Sequence, residues 1–328
     1  MTHRITLLAL EGCFASNVVG AIDLFDTANR ITARQQPPVP RVFDWQVLSP
    51  DGQPVMTSNG YRLAVDGPLQ DGPIARTVMI PAFGSSRPRE LLDAIAHNSD
   101  LMIWLKGQYA AGIEIAATCS GCFLLAESGL LDGRRATTSW WLADDFAARY
   151  PRVNLDVSSM VTDDAGVICS GAGMSHLDLS LYLIQKIAGR ELAHQCARYV
   201  VLEEQRRSQA PYIILNHLRH HDPLVIKAEK WIQDHLAECI RIEDIALHVS
   251  VSPRTLVRHF KDATGDTPLA FVRKLRIETG KALLENTNLR VSEIQQRIGF
   301  EDESSFRRVF KKYTDLSPRE YRQRFGNQ

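Results

Sequence analysis

The last third of the chain repeats itself at a spacing of fifty residues. Thr255-Leu256-Val257-Arg258-His259-Phe260-Lys261 lies over Ser305-Phe306-Arg307-Arg308-Val309-Phe310-Lys311, so that Arg258 falls on Arg308, Phe260 on Phe310 and Lys261 on Lys311. Further on, Thr264 falls on Thr314 and Thr267-Pro268 on Ser317-Pro318. A fixed internal period marks a duplicated supersecondary unit. Two copies make no solenoid; they make one module that presents two equivalent helices. The region has no strand pattern and several helix starts. Asp222-Pro223, Ser252-Pro253, Thr267-Pro268 and Ser317-Pro318 each set a capping side chain before a proline at the first helical position. Ser292 with Gln295 offers a capping box. An all-helical domain of roughly seven helices is expected.

Within the first copy, Leu256, Phe260 and Ala263 recur at i, i+4 and i+7 and form an apolar stripe, while Arg254, Arg258 and Lys261 share that spacing on another face. A short helix, Ile242–Val249, and a turn, Ser250-Val251-Ser252, precede it, which is helix-turn-helix architecture. The second copy has a support helix Ser292–Ile298, a turn beginning at Gly299-Phe300 and a second helix Glu303–Tyr313. Phe306, Val309, Phe310 and Tyr313 face inward; Ser304, Arg308 and Lys311 face out with Arg307 beside them. An arginine fork bonds two acceptors on a guanine edge, whereas Lys261, Lys311 and Lys312 suit phosphates. Charge agrees. Residues 252–328 carry 16 Lys+Arg against 10 Asp+Glu, a net of +6, so the other 251 residues of this formally neutral chain carry a net of −6. A basic tail on an acidic body is the footprint of a nucleic-acid module joined to something else.

These residues resemble the AraC/XylS transcriptional regulators over Ile242–Phe325. The likeness rests on Leu275-Arg276-Ile277, Ile298-Gly299-Phe300, Phe306 with Phe310-Lys311, and Ser317-Pro318 with Tyr321-Arg322. It implies two helix-turn-helix units joined by a long helix, here about Pro268–Glu285, whose reading helices enter successive major grooves of double-stranded DNA. Carried over by position, Arg254, Val257 and Arg258 reach bases in the first unit and Ser304, Arg307 and Arg308 in the second; Thr255, Lys261 and Lys311 complete the expected contact set. Two departures bear on the second unit: Gln295 stands where the family has Ala at a tight crossing (Ala246 keeps it in the first), and Asp315 stands where Gly is common.

The first two-thirds reads differently. Ile5–Leu10, Phe43–Leu48, Thr77–Pro81, Ile113–Thr118 and Val167–Cys169 are strand-like, and helical patterns cover Asn17–Ala33, the stretch between Pro81 and Ile113, the residues after Cys119, and Ser175–Ile187. Strands alternating with helices argue for an α/β domain with a mostly parallel sheet covered on both faces. Three parts are expected: a domain over 1–202, a polar linker over 203–222, and the helical domain over 223–328. No apolar run reaches the ~18 residues of a membrane span. The opening MTHRITLLALEGC fits a buried first strand better than a signal peptide. Six cysteines lack metal-type spacing, since Cys119-x-x-Cys122 has no second pair, so no metal and no cofactor are expected and the thiols read as reduced and cytoplasmic.

One motif in this part carries chemistry. Residues 113–129 form an apolar strand, a sharp turn at Cys119-Ser120-Gly121 and a helix. Backbone N–H groups and a helix N-terminus at such a turn favour a bound anion and a lowered thiol pKa; Cys122 and Cys169 read instead as small core residues. The region resembles the PfpI-like members of the class I glutamine-amidotransferase-like superfamily, a flavodoxin-like fold. The matching signatures are the Cys119-x-Gly121 elbow, the run from Leu130 to Thr138, and the strand end Ile80-Pro81-Ala82-Phe83-Gly84. Joined to the helical tail, it resembles the GlxA-like regulators. The resemblance also exposes what an enzyme would lack. The expected His is Ser139, the expected acidic residue aligns with Asn17, and a Gly-Gly oxyanion loop is Ala82-Phe83-Gly84. A cysteine nucleophile needs a base within hydrogen-bond reach, so turnover is not expected.

The sequence therefore reads as a ligand-responsive regulator, of a family that leans towards activators. Its effector, by analogy a nitrogen-containing metabolite with an anionic group, is expected among Asn17, Phe83, Gly84, Cys119, Ser120, Gly121, Ser139 and Trp140. Homodimerisation and contact with RNA polymerase are expected as well. The alternatives are an amidase- or hydratase-type activity through Cys119, or a thiol redox sensor at that residue.

Overall fold

In the computed structural model the described residues are 2–37, 40–70, 75–84, 91, 95, 99–203, 206, 208–214 and 222–326. The chain separates into two compact units, Met1–Gln209 and Ala210–Gln328. The division falls inside the polar stretch 203–222. Among the described residues no helix is long and apolar enough to cross a membrane.

The first unit is a twisted sheet between two helical layers. Its strands are β1 (His3–Leu8), β2 (Phe43–Ser49), β3 (Gly67–Pro68), β4 (Thr77–Ile80), β5 (Glu114–Thr118), β6 (Val161–Asp164) and β7 (Val167–Ser170). They lie in the order β6-β7-β5-β4-β1-β2-β3, every pair parallel except β6 with β7. Side-chain alternation sends Ile5 and Leu7 of β1, Met79 of β4 and Ala116 of β5 to one core, and Leu8, Val78, Ile80, Ile115 and Ala117 to the other. Both faces are therefore apolar, the condition for a parallel sheet. The helices are α1 (Ala15–Ala33), α2 (Ser99–Ala110), α3 (Cys122–Glu127), α4 (Ala143–Arg149), α5 (His176–Ala188) and α6 (Arg190–Tyr199). One face is covered by α1, α5 and α6, which pack on one another through Val18, Ala21, Phe25, Leu179, Leu183 and Cys196. Residues from α2, α3 and α4, among them Leu105, Phe123 and Phe146, line the opposite core.

The second unit has seven helices among its described residues: α7 (Pro223–Asp234), α8 (Ile242–His248), α9 (Pro253–Thr264), α10 (Pro268–Asn286), α11 (Val291–Arg297), α12 (Glu303–Thr314) and α13 (Pro318–Phe325). Four of the expected caps form. Asp222 accepts from the N–H groups of Leu224 and Val225, Ser252 from Thr255, Thr267 from Ala270 and Ser317 from Glu320. The expected capping box at Ser292 and Gln295 does not. Helix α11 begins one residue earlier, at Val291; the Arg290 N–H donates to the Glu293 carboxylate at 2.6 Å, while Gln295 turns inward. Asp302, unremarked in the sequence, caps α12 by accepting from the Ser305 N–H at 2.8 Å.

Two small cores divide this unit. Val225, Ile232, Ile245, Leu256, Phe260, Val272 and Leu275 belong to one; Ile277, Leu284, Ile294, Ile298, Phe306, Phe310 and Tyr321 form the other. The long helix α10 feeds both, Leu275 into the first and Ile277 into the second. Gly280 lets it close on the second: a Cβ there would sit 3.3 Å from Ile298 Cδ1 and 3.4 Å from Phe306 Cε2.

Candidate functional site

The two reading helices repeat in three dimensions what the sequence repeats in one. Leu256, Phe260, Thr264 and Pro268 are buried, as are Phe306, Phe310, Thr314 and Pro318 at their fifty-residue counterparts. Both threonines make the same bonds. Thr264 Oγ1 donates to the Phe260 carbonyl (2.7 Å) and accepts from the Asp266 N–H (3.2 Å); Thr314 Oγ1 donates to the Phe310 carbonyl (2.8 Å) and accepts from the Leu316 N–H (3.3 Å). Each helix ends on a left-handed residue, Gly265 (φ 74°) in the first copy and Asp315 (φ 57°) in the second. Asp315 thus adopts the conformation for which glycine is the common choice, one that Asp tolerates better than most residues.

Upstream the copies fall out of step. Ser250, at φ 59°, is the left-handed turn residue of the first copy and Gly299, at φ 76°, that of the second, forty-nine residues on. One extra residue in the second turn restores the spacing of fifty at the reading helices. Ala246 then corresponds to Gln295. Ala246 is 1% exposed; Gln295 is 7% exposed and its Nε2 donates to the Phe300 carbonyl inside the turn. The larger residue is accommodated by bonding the turn it would otherwise crowd.

On the outer faces, Arg254, Arg258 and Lys261 are exposed, with Val257 and Thr255 half-buried. The Thr255 hydroxyl is engaged with the capping Ser252 Oγ at 2.8 Å. In the second copy Ser304, Arg308 and Lys311 are exposed, and Arg307 pairs with Glu303 one turn earlier while remaining 61% exposed. Val309 and Tyr313, expected to face inward, are half-buried at the edge of the second core.

In the first unit, β5 runs into the elbow. Cys119 has φ 56°, a left-handed conformation rare outside Gly and Asn, in a short 3-10 turn Cys119–Gly121 ahead of α3. Gly121 is required there, because a Cβ would lie 2.5 Å from the Pro81 carbonyl oxygen. The Cys119 thiol meets Ser139 Oγ at 2.6 Å, and the Thr138 hydroxyl donates to the Cys119 carbonyl at 2.9 Å. Ser120 Oγ accepts from the Phe83 N–H (2.8 Å) and donates to the Phe83 carbonyl (3.1 Å). Asn17 Oδ1 accepts from the Ala82 N–H at 2.9 Å. The sequence-derived residues thus come together, with two corrections. The Phe83 N–H is committed to Ser120 and the Gly84 N–H to the Gly12 carbonyl (2.9 Å), so neither is available to an anion. The Cys119 thiol is raised, not lowered: burial pushes it up more strongly than the hydrogen bonds from Ser139 and Ser120 pull it down. Trp140 and its neighbour Trp141 follow Ser139 towards the surface. Trp140 is half-buried, Trp141 is 41% exposed, and their rings meet edge to face at 5.4 Å.

Two residues of this region were not singled out in the sequence. His176, 1% exposed at the start of α5, lies with Nδ1 3.1 Å from Asn17 Nδ2 and 3.2 Å from the Gly173 carbonyl. Gly20 on α1 leaves room for the ring, since a Cβ there would come within 2.8 Å of His176 Nε2. Burial lowers its pKa, so the imidazole is held neutral. Its partners are Asn17 and Gly173, and among the described residues no histidine hydrogen-bonds Cys119. Gln209 is the other, buried against Thr137 and Thr138. A roomier space lies away from the elbow: a cavity of about 290 Å³ beside α5 and α6, lined by Val161, Asp178, Tyr182, Arg190, His194 and Arg206 among others, whereas the cavity beside Asn17 and Pro81 holds about 10 Å³. Asp178 and Arg206, both in its lining, pair with each other at 2.6 Å.

Comparison with known proteins agrees with both halves of this description. The DJ-1/PfpI family matches residues 4–186, and a helix-turn-helix domain family matches residues 245–324. The chain is 29% identical over 320 residues to the HTH-type transcriptional regulator CdhR of Pseudomonas aeruginosa, covering 97% of this chain and 91% of that protein. It is 26% identical over 332 residues to the HTH-type transcriptional regulator GlxA of Rhizobium meliloti, covering 99% and 97%. The solved structure of Drosophila melanogaster DJ-1beta shares the fold of the first unit, with a TM-score of 0.50 and 18% identity over 62% of this chain and all of that one. The chain belongs to the DJ-1/PfpI family through its first unit and, with an AraC-type helix-turn-helix domain as its second, is a DNA-binding transcriptional regulator.

Proposed function

We propose that this regulator reads DNA with the outer faces of α9 and α12 and answers to a small metabolite bound in its first unit. Arg254, Val257 and Arg258 in the first copy, and Ser304, Arg307 and Arg308 in the second, reach base edges; Thr255, Lys261 and Lys311 hold phosphates. The observation that carries this assignment is the matched burial of the two helices, which leaves the same face free on each. Two such helices on one face of the duplex protect two major-groove patches about 10 base pairs apart. Footprinting that finds a single patch of four or five base pairs rejects the two-headed reading.

The first unit is a sensor rather than an enzyme in this reading. Cysteine catalysis needs a thiolate and a base; Cys119 faces the hydroxyl of Ser139, and its thiol is raised by burial. The effector has an anionic group at the Cys119-Ser120-Gly121 turn, between Asn17 and Ser139, with Phe83 and Gly84 as a wall. A cationic nitrogen on the same molecule finds the half-buried ring of Trp140, a contact of about 0.5–2 kcal/mol. The regulator acts as a homodimer in the cytoplasm and engages RNA polymerase. Replacing Cys119 by Ser keeps the turn and removes the thiol, so the transcriptional response is retained; a folded, DNA-binding Cys119→Ser protein that no longer responds refutes the sensor in favour of thiol chemistry.

One observation favours a second position for the effector. Cys119, Ser120 and Ser139 are 0–4% exposed, so a ligand at the elbow must displace packed side chains, while the cavity beside α5 and α6 already has room. Ser139→Trp fills the first, and Ala193→Trp, at a residue of α6 that lines it, the second. Amino acids, betaines and polyamines are screened by thermal shift on the full chain, where a ligand at ~100 times its Kd adds about 2.7 kcal/mol. The substitution that removes the shift identifies the site.

A further inference from the structure

Between Leu275, which packs into the first core of the second unit, and Ile277, which packs into the other, α10 carries a charged residue. Arg276 is half-buried. Its Nε donates to the Leu236 carbonyl at 3.2 Å and its Nη2 to the Glu238 carbonyl at 2.7 Å. Both carbonyls lie just past the end of α7, where the chain has unpaired acceptors and the helix dipole favours a cation. Helix α7 belongs to the first copy. Its Val225, Ala228 and Ile232 share a core with Leu256 and Phe260 of α9, and Leu236 packs against that core. The guanidinium thus grips the first copy from a helix common to both.

The same group lies against the turn of the second copy. Arg276 Cζ is 5.8 Å from the centroid of the Phe300 ring, within reach of a cation–π contact. Phe300 meets Phe306, on the reading helix α12, at 5.4 Å. The backbone closes on this junction too: a Cβ at Gly299 would stand 2.7 Å from Arg276 Nη2 and 2.4 Å from the Leu236 carbonyl oxygen. A left-handed φ alone does not call for glycine here, because Ser250, the turn residue of the first copy, adopts φ 59° with an exposed side chain. Gly299 is half-buried and has no room for one. The turn is also held from within its own copy, since Gln295 Nε2 donates to the Phe300 carbonyl. The end of α7, Arg276 and the second turn therefore form one junction, and all of it lies within the second compact unit.

We propose that Arg276 is a positioning residue for DNA reading: it fixes the angle between α9 and α12 and so sets the one spacing at which both half-sites are read together. A planar guanidinium suits this task, because its donors are held in a rigid fork and its face stacks on an aromatic ring. Without the fork each copy keeps its own apolar core, but the second turn is no longer tied to the end of α7. This rests on the reading in which α9 and α12 both contact DNA.

The test uses the full chain and DNA selected from random sequence by the wild-type protein. The selected site is remade with one base pair inserted or deleted between its two protected patches, which moves one patch against the other by ~3.4 Å and about 35°. The wild-type protein is expected to bind the altered sites at least tenfold more weakly than the selected one. Arg276→Met keeps an unbranched stem and removes the donors. It is expected to narrow that preference to threefold or less, through weaker binding of the selected site, while sites with either patch scrambled are bound as by wild type. Arg276→Lys retains a donor without the fork and should fall between the two. Hydrogen exchange at residues 242–264 and 291–314 reports whether both copies stay folded. An Arg276→Met protein with both copies protected and the spacing preference intact overturns the proposal. Loss of protection in either copy overturns it as well, because Arg276 then maintains the fold and not the angle. If the wild-type protein itself protects a single patch, the two-headed reading fails and the proposal with it. Two wild-type patches whose spacing preference survives Arg276→Met sink the proposal alone and leave that reading standing.

Discussion

Replacing Phe310 by Ala should silence the second reading helix and leave the first at work. Phe310 is fully buried in a core that among the described residues has seven buried apolar members. Truncating a buried Phe costs about 3–5 kcal/mol. Phe310 also contacts Phe306 at 5.4 Å and Tyr321 at 5.3 Å, ring pairs that add about 0.5–1.5 kcal/mol each beyond burial. Among the described residues its counterpart Phe260 has one ring partner, Phe271 at 5.7 Å, within a core of ten buried members. The Phe310 cost thus falls at the upper end of the range and the Phe260 cost lower. Stabilities of whole domains are about 5–15 kcal/mol, so a half-domain cannot absorb the larger loss. Hydrogen exchange on the full chain, with footprinting on a selected site, measures both consequences. Phe310→Ala should lose protection in α11 to α13 and the second footprint patch, with α8 and α9 protected. Loss of protection in both halves together, or of both patches together, would refute the claim that the two cores on either side of Leu275 and Ile277 are separate folding units.

Four further outcomes follow from the same geometry. Arg258→Ala and Arg308→Ala should each weaken specific binding by about 1–3 kcal/mol and relax preference at one base pair, measured at fixed salt; Arg307→Ala should have the smaller effect, because Glu303 competes for its guanidinium. Gln295→Ala leaves the Phe300 carbonyl without its amide donor and should cost about 1–3 kcal/mol, read as lost protection in α11; a gain in stability would show that the shorter family residue packs better. Iodoacetamide at neutral pH should modify exposed Cys239 well before Cys119, whose thiol is buried and raised; equal rates would revive the redox reading. Burial lowers the folded-state pKa of His176 below its ordinary 6.5. The unfolded chain therefore binds the proton first, and stability present above pH 6.5 is lost as the pH falls towards the folded pKa. His176→Gln should flatten the dependence of Tm on pH in that window, and an unchanged slope would contradict the assignment.

The parallel strands were legible because both faces of the sheet are covered, so each strand is a short apolar run between turn signals. The edges were not. Val161–Asp164 pairs antiparallel at the rim and carries Thr162, Asp163 and Asp164, a polar pattern with no strand signature. The helix Arg190–Tyr199 escaped for a related reason: its buried residues are Leu192, Ala193, Cys196 and Ala197, small side chains on an otherwise polar segment that begins at Gly189 (φ 92°). In the second unit the caps at Asp222, Ser252, Thr267 and Ser317 were readable because Pro follows each. Asp302 lacks that proline, and its cap went unread.

The candidate site divides along the same line between what is local and what is not. A strand, a sharp turn and a small residue at Gly121 are local, and they led directly to Cys119. The state of the thiol depends on how much surrounds it, and part of that comes from segments far from Cys119 in sequence, among them Pro81 at the end of β4 and Ser139. The inference from helix N-terminus to low pKa fails here for a physical reason. The favourable field of a short turn is a fraction of a charge, while desolvation of a thiolate acts on the whole of it. His176 and Gln209 are non-local in the same sense. One depends on the absence of a side chain at Gly20, the other on its absence at Gly171, and in both cases a glycine far away in sequence opens the space that a polar residue then occupies. The residues that occupy those spaces, a neutral imidazole beside Asn17 and a carboxamide beneath Thr138, are bonded to the walls of the elbow rather than to its thiol. Their arrangement fixes the shape of the turn: both polar groups bond its walls, and neither hydrogen-bonds the thiol.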